Sequence, residues 1–166
     1  MHDKLTKSDI KKMQEEIEYR KLVVRPKAVE DVREAAAQGD RSENFEYYAA
    51  KKFNRQNNSR ITYLENMIKT AEIIDDSSEE DVVGLNNTVT VEFVGRGDVR
   101  KFKIVTTVRA DSLSGLITNE SPVGKALLGR RVGDVCHVKA SESVEYDLKI
   151  IALENTDDSG DEINSF

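Results

Sequence analysis

The sequence predicts an α+β protein in which a helical hairpin precedes a small antiparallel sheet with one short helix. Three observations support this prediction. Apolar residues recur at steps of three and four over the first 74 residues, which is typical of amphipathic helices. They alternate with polar residues beyond residue 87, which indicates strands. The chain of 166 residues has only 2 prolines and 9 glycines, which favours long uninterrupted helices.

The first helix is predicted to begin at Thr6, because a threonine followed three positions later by Asp9 is a common helix start. Apolar residues follow at helical spacing from Ile10, and the pattern continues in shifted phase beyond Pro26. We therefore expect a kink or stutter near Pro26 rather than a helix end. Gly39 is a suitable residue to end the helix.

A second helix is predicted after Gly39. Its apolar seam runs from Tyr47 to Ala71 and is interrupted by Asn54 and Asn57, and asparagine at such positions fixes the register of a coiled coil. Two helices of about 30 residues joined by a short turn must be antiparallel, giving a hairpin about 45 Å long. Residues 1–74 are therefore predicted to form a coiled-coil hairpin. Within it, positions whose numbers add to about 81 should face each other.

The rest of the chain divides by composition into three parts. Residues 75–87 are predicted to be an acidic linker, 88–153 a compact domain, and 154–166 an acidic tail that we expect to be disordered. Within the domain, a β-hairpin turns at residues 95–98. Ser121 and Pro122 predict the N-cap and first residue of a short helix.

The placement of charge matters more than its sum. The net charge of −6, from 25 basic and 31 acidic residues, at first argues against a nucleic-acid partner. However, residues 75–81 and 154–166 together hold ten acids and no base, so the remaining chain is basic.

The cysteine count and the hydropathy of the sequence limit the classes of protein and the cell compartments that it fits. The single cysteine excludes a disulfide framework and suits a reducing compartment. No apolar run approaches the roughly 18 residues of a membrane span, and the polar N-terminus is unlike a signal peptide. We therefore expect a cytoplasmic protein with no membrane partner.

Two acids, Asp40 and Glu43, stand three residues apart between the predicted helices. One interpretation is structural: an acid at the N-cap and another at the third helical position form a carboxylate version of the capping box. The other is functional, because two exposed carboxylates can bind Mg²⁺. This ion keeps several waters and binds one or two protein carboxylates, so it would have to be shared with another molecule.

Basic residues without intervening acids occur on both predicted arms, behind the tip. The first arm carries Arg20, Lys21, Arg25 and Lys27, and the second carries Lys51, Lys52, Arg55 and Arg60. In an antiparallel hairpin these stretches coincide as one belt, which could bind a phosphate backbone. The alternative is an ordinary solvated helix face.

Two segments carry a family resemblance. Gly39-Asp-Arg-Ser-Glu-Asn-Phe-Glu-Tyr-Tyr-Ala-Ala50 and Ser121-Pro-Val-Gly-Lys-Ala-Leu-Leu-Gly129 closely resemble the bacterial Gre transcript-cleavage factors, and the resemblance extends to about Leu153. It implies that residues 88–153 form a domain similar to FK506-binding proteins. That domain would dock on RNA polymerase through the region of Ser121 and Pro122, while the hairpin enters the secondary channel.

The resemblance also implies roles for individual residues. Asp40 and Glu43 would help the polymerase carboxylates to hold a catalytic Mg²⁺ for the hydrolysis of backtracked RNA. Lys51 matches a family position implicated in contacting the RNA 3′ end, and we add Lys52 and Arg55 to the predicted RNA-binding set. The chain would then be a monomeric activator of the polymerase's own endonuclease activity and not itself an enzyme.

Two other functions remain open from the sequence. A non-catalytic coiled-coil adaptor could bind the polymerase and occlude its channel. A prolyl isomerase or chaperone could be built on the C-terminal domain, although Phe93, Phe102 and Tyr146 supply few aromatic side chains for such a pocket.

Overall fold

The structure, a computed structural model, describes residues 3–39, 44–77 and 79–165. Its contacts divide the chain into two compact units. We call the first, mainly residues 9–71, the hairpin unit, and the second, residues 4–8 with 72–165, the sheet unit. The predicted α+β class is confirmed. Among the described residues, no helix is long and apolar enough to cross a membrane.

The hairpin unit contains three long helical segments: α1 (Lys7–Tyr19), α2 (Arg25–Ala36) and α3 (Phe45–Thr70). Contacts between α2 and α3, and pairs such as Glu16 with Arg60 and Ala35 with Asn44, show that the arms are antiparallel. Their register is close to the predicted one. The buried side chains of this unit are those of Asp9, Met13, Ala28, Ala35, Asn57, Arg60, Ile61 and Leu64.

A π-helical turn, Arg20–Val24, joins α1 to α2. In this turn the Arg25 N–H donates to the Arg20 carbonyl oxygen, five residues earlier. Pro26, at the start of α2, has no N–H to bond the carbonyl four residues before it. The wider turn accommodates this missing donor and shifts the phase of the apolar pattern. The predicted stutter is thus confirmed, and it lies just before the proline.

The sheet unit is built on a five-stranded sheet. Its strands are β3 (Thr88–Phe93), β4 (Val99–Val105), β5 (Leu116–Thr118), β6 (Val135–Lys139) and β7 (Glu145–Glu154). Their order across the sheet is β5-β4-β3-β7-β6. Two further short strands, β1 (Lys4–Leu5) and β2 (Glu72–Ile73), pair in parallel. One short helix, α4 (Pro122–Leu127), follows β5.

The sheet is mixed rather than wholly antiparallel as predicted. Strands β3, β4, β6 and β7 pair antiparallel, but β5 runs parallel to β4. Between β4 and β5 the chain passes through two 3₁₀ turns, Thr107–Arg109 and Ser112–Ser114. After them the chain pairs Leu116 with Lys103 and Thr118 with Val105, so β5 runs in the same direction as β4.

The core of the sheet unit includes residues that composition had assigned to a linker. Val83 and Leu85 are buried in the same cluster as Val89 and Ile150. The Val83 N–H donates to the Arg130 carbonyl oxygen at 2.8 Å. The second half of the 75–87 segment therefore belongs to the sheet unit, because its apolar side chains complete the core.

The acidic tail also differs from its prediction. Its described part, residues 155–165, lies on the sheet unit. The Thr156 hydroxyl donates to the Asn86 carbonyl oxygen at 2.6 Å, and Asp161 pairs with the buried Arg109. A buried guanidinium needs a nearby anion, and the tail supplies it.

Candidate functional site

The tip segment, residues 37–44, connects α2 to α3. Asp40 and Glu43 fall outside the described residues, but the start of α3 is described. Asn44 is the N-cap of α3: its backbone is extended, and its Oδ1 accepts a hydrogen bond from the Tyr47 N–H at 3.0 Å. The interpretation that Asp40 caps this helix, with Glu43 at the third helical position, is therefore wrong.

Asn44 also links the two arms. Its Nδ2 donates to the Ala35 carbonyl oxygen in the last turn of α2, at 2.6 Å. That carbonyl is one of the last four of α2, which lack a full set of helical donors; it also accepts from the Gln38 N–H at 3.3 Å. One side chain thus caps α3 and closes the base of the tip segment. Sequence reasoning missed this residue, although asparagine is among the strongest N-cap residues.

The end of α2 differs slightly from its prediction. The helix ends at Ala36, with Ala37 as its C-cap, and Gly39 lies further along the tip segment. Gly39 has φ +147°, a conformation that side-chain-bearing residues rarely adopt. The glycine is therefore required by the turn itself rather than by the helix cap.

Aromatic side chains cluster at the beginning of α3. Phe45 is 87% exposed, whereas Tyr47, on the predicted seam, is half-buried. The rings of Tyr47 and Tyr48 meet edge to face, with centroids 5.6 Å apart. The Lys51 ammonium lies 5.8 Å from the centre of the Tyr47 ring, a distance at which a cation and an aromatic face attract each other.

The predicted basic belt does not form as one continuous free surface. On the first arm, every one of its basic residues is bonded within the hairpin. The pairs are Arg20 with Glu16, Lys21 with Glu65, Arg25 with Asn58, and Lys27 with Asp31. On the second arm, Arg60 is buried and also binds Glu16. These cations are therefore already committed to partners inside the unit.

Lys51, Lys52 and Arg55 are exposed, and they form no ion pair with the residues that the structure describes. Lys51 lies six residues into α3, which is about 9 Å from the start of the helix. With Arg55 and the polar side chains that follow on α3, it lines an open groove of about 510 Å³. Lys52 lies outside that groove.

A polar core holds the arms together at the π-helical turn. Glu16 accepts two hydrogen bonds from Arg60, at 2.8 and 3.1 Å, and one from Arg20 at 2.7 Å. Arg20 also donates to Asn57 Oδ1 at 2.9 Å. Burial alone would raise the pKa of the Glu16 carboxyl, but the hydrogen bonds and charges of the two arginines outweigh it and lower the pKa. Asn57 is 2% exposed, so its predicted position in the seam is confirmed.

The second predicted site region is the start of α4. Ser121 caps this helix: its Oγ accepts from the Gly124 N–H at 3.0 Å and donates to the Thr118 carbonyl oxygen at 2.7 Å. Pro122 is the first helical residue and is exposed. A Cβ at Gly124 would lie 2.0 Å from the Thr118 oxygen, so only glycine fits there. The predicted helix start is confirmed, and it presents Pro122 on a rigid turn.

The described residues contain no group of three or more His, Cys, Asp or Glu side chains that could hold a metal ion. Asp40 and Glu43 lie outside these residues. The structure thus places the three free cations on α3 and the Ser121–Pro122 turn on the sheet unit. The site roles of these residues remain predictions.

Comparison with known proteins gives one consistent result over nearly the whole chain. Residues 4–73 match the family model for transcription elongation factor, N-terminal, and residues 78–155 match the model for transcription elongation factor, GreA/GreB, C-term. The transcription elongation factor GreA of Streptococcus gordonii is 40% identical over 153 residues, covering 92% of this chain and 95% of the relative. That of Thermotoga maritima is 40% identical over 152 residues, covering 92% and 97%.

Among solved structures, the crystal structure of GreA factor homolog 1 (Gfh1) of Thermus thermophilus is 27% identical. It covers 93% of this chain and 100% of its own, with a TM-score of 0.43. The two family models and the curated relatives identify the chain without it. This chain is a transcription elongation factor and belongs to the GreA/GreB family.

Proposed function

We propose that this protein binds RNA polymerase and stimulates the polymerase's own Mg²⁺-dependent cleavage of backtracked RNA. In this role it is an activator and not an enzyme. The observation that carries the proposal is the closed base of the tip segment. Asn44 fixes the start of α3 and ties it to the end of α2, so the segment that contains Asp40 and Glu43 is anchored at both ends.

The chemistry of the two tip acids fits a shared magnesium ion. Carboxylate oxygens are the ligands that Mg²⁺ prefers, and the ion takes six ligands in octahedral geometry. Asp40 and Glu43 can fill only part of that shell, so polymerase carboxylates and water must fill the rest. When bound, such an ion lowers the pKa of its water and stabilises developing charge on the phosphate.

The free cations on α3 provide a surface for the RNA 3′ end. Lys51, Lys52 and Arg55 are exposed and have no carboxylate partner among the described residues. Phosphate contacts of this kind position a nucleic acid without reading its sequence. This suits a factor that must act on any backtracked transcript. The cations of the first arm are less suited, because binding RNA would require breaking their ion pairs and, for Arg25, its hydrogen bond to Asn58.

The sheet unit is the part that we propose docks on the polymerase, through Ser121 and Pro122. The Ser121 hydroxyl is bonded within its own turn, so its role is to hold the turn in shape. Pro122 is exposed and offers an apolar contact with fixed backbone geometry.

The test is a cleavage assay on stalled, backtracked elongation complexes with Mg²⁺, in which short 3′ RNA fragments are measured. Asp40→Ala and Glu43→Ala should each lower the cleavage rate by about 10²-fold, the size expected for losing one group that stabilises developing charge. Glu34→Ala, an exposed acid in the last turn of α2, is the matched control and should cleave normally.

The same assay separates the alternative function. If the unaltered protein binds polymerase but releases no fragments, it is an adaptor that occludes the channel. If both tip variants cleave normally, the assignment of Asp40 and Glu43 is wrong.

A further inference from the structure

The acidic tail contributes a carboxylate to a buried cationic site on the sheet unit. Asp161, 9% exposed, accepts a hydrogen bond from Arg109 Nη1 at 2.7 Å, and the Arg109 side chain is fully buried. Lys103 Nζ lies 3.0 Å from the same carboxylate and is 16% exposed. Two cations on the sheet unit thus converge on one side chain of the tail.

Backbone contacts hold the tail on both sides of this carboxylate. The Asn164 N–H donates to the Val108 carbonyl oxygen at 2.7 Å, and the Asn164 side chain donates to the Ala110 carbonyl oxygen at 3.0 Å. Lys103 also donates to the Asp157 carbonyl oxygen. The tail therefore runs beside the 3₁₀ turn that carries Arg109.

The contacts of the tail are polar, unlike those of the sheet core. Of the described residues, none beyond Leu153 belongs to the hydrophobic cluster of the sheet unit or packs against it. The last strand, β7, ends at Glu154, and the family model ends at residue 155. Arg109 and Lys103 lie inside the family match, whereas the anion that they bind lies outside it.

We propose that Arg109 and Lys103 form a carboxylate-binding site for an acidic peptide, and that the chain's own tail is the resident ligand. The site is complementary to the tail, which contains five acids and no base from residue 154 onward. Removing one partner of a buried ion pair is strongly destabilising, and Asp161 of the tail supplies such a partner to Arg109. This site is separate from the proposed cleavage function.

The consequence is that the tail competes with other acidic peptides for one site. While the tail is bound, its effective concentration at the site is high, and a free peptide cannot compete. Once the carboxylate of residue 161 is removed, the site should accept the same peptide supplied separately.

The test uses full-length variants and a fluorescent synthetic peptide with the sequence of residues 155–165. Asp161→Asn should speed hydrogen exchange at the Asn164 amide by at least about tenfold, because the tail loses a charged hydrogen bond. The same variant should bind the peptide, as measured by fluorescence anisotropy. Glu162→Gln removes the same charge at the next residue, which is exposed. This control variant should neither speed hydrogen exchange at the Asn164 amide nor bind the peptide.

A second peptide, carrying asparagine at the position of Asp161, checks that the carboxylate is what the site recognises, and it should not bind. The proposal is overturned if the Asp161→Asn variant keeps its β7 amides protected yet binds neither peptide. It is equally overturned if that variant loses the protection of β7, since the ion pair would then be part of the fold and not a site for a ligand.

Discussion

Replacing Asn44 by alanine tests whether one side chain closes the tip segment. The substitution removes two hydrogen bonds: the cap on the Tyr47 N–H at 3.0 Å and the bond to the Ala35 carbonyl oxygen at 2.6 Å. Loss of an N-cap costs about 1 kcal/mol, and loss of a second hydrogen bond about another 1 kcal/mol. The sum of about 2 kcal/mol corresponds to roughly a thirtyfold increase in local opening.

Native-state hydrogen exchange measures this opening directly. The amides of Tyr47 and Tyr48, which bond to the Asn44 side chain and carbonyl respectively, should exchange about thirtyfold faster in the alanine variant. The cleavage rate of backtracked RNA should fall by less than this factor. The conformation with the tip segment closed remains the major one unless, in the unaltered protein, it is favoured over the open one by less than about 2 kcal/mol. Polymerase affinity should be unchanged, since the sheet unit is unaltered.

Two further variants complete the test: one separates the two hydrogen bonds of Asn44, and the other is a control. Asn44→Asp keeps a good cap but has no donor for the Ala35 carbonyl oxygen, so exchange should rise by about tenfold or less. Gln56→Ala, an exposed position within α3, should leave exchange at Tyr47 unaltered. If Asn44→Ala changes neither exchange nor cleavage, the tip segment is held by other contacts and the reasoning fails.

Three more predictions concern the scaffold. Glu16→Gln leaves the buried Arg60 without its carboxylate and should lower the free energy of unfolding. Breaking a buried ion pair costs about 3–5 kcal/mol, and we expect a value near the lower end because Glu16 is 25% exposed. Urea unfolding followed by circular dichroism measures this change. The stabilisation by Glu16 should also depend on pH. Its folded-state pKa is lowered, so the stabilisation is fully present above the unfolded value of about 4.3 and is lost as the pH falls through the folded value. Glu16→Gln should flatten that dependence. Gly124→Ala should lower the thermal unfolding temperature of the sheet unit, because its Cβ would lie 2.0 Å from the Thr118 oxygen, whereas Gly160→Ala, with open space around it, should not.

The elements that followed from the sequence were those fixed by local periodicity. The spacing of apolar residues is sufficient to predict the two helical arms and the change to strands beyond residue 87. The phase shift near Pro26 is sufficient to predict the stutter, because a proline disturbs the hydrogen bonding of its own turn. The cap of α3 was not predictable in the same way. Asp40 and Asn44 are both good cap residues, and the choice depends on the Ala35 carbonyl, which only the folded hairpin brings within reach.

Charge was harder to interpret than periodicity, because ion pairs join residues far apart in sequence. Arg60 and Glu16 are separated by 44 residues, and Arg109 and Asp161 by 52. Counting charges along the chain therefore combined committed and free cations into one belt. It also assigned Asp161 to a solvated tail. In both cases the error came from using local composition where the partner was distant.

The distribution of partners, rather than net charge, determines which surface can meet an anionic ligand. In the hairpin, Arg20 and Arg60 converge on Glu16 and fix the register of the arms at the π-helical turn. The carboxylate offsets one of the two positive charges, and the hydrogen bonds hold both guanidinium groups inside the hairpin, so they are less accessible to an anionic ligand. Lys51 and Arg55 share one face of α3 close to the tip and are exposed, so an RNA phosphate can approach them without displacing a carboxylate. The same sequence of charges thus divides into a structural set, which holds the arms in register, and a free set, which lies on the face of α3 next to the tip acids in sequence.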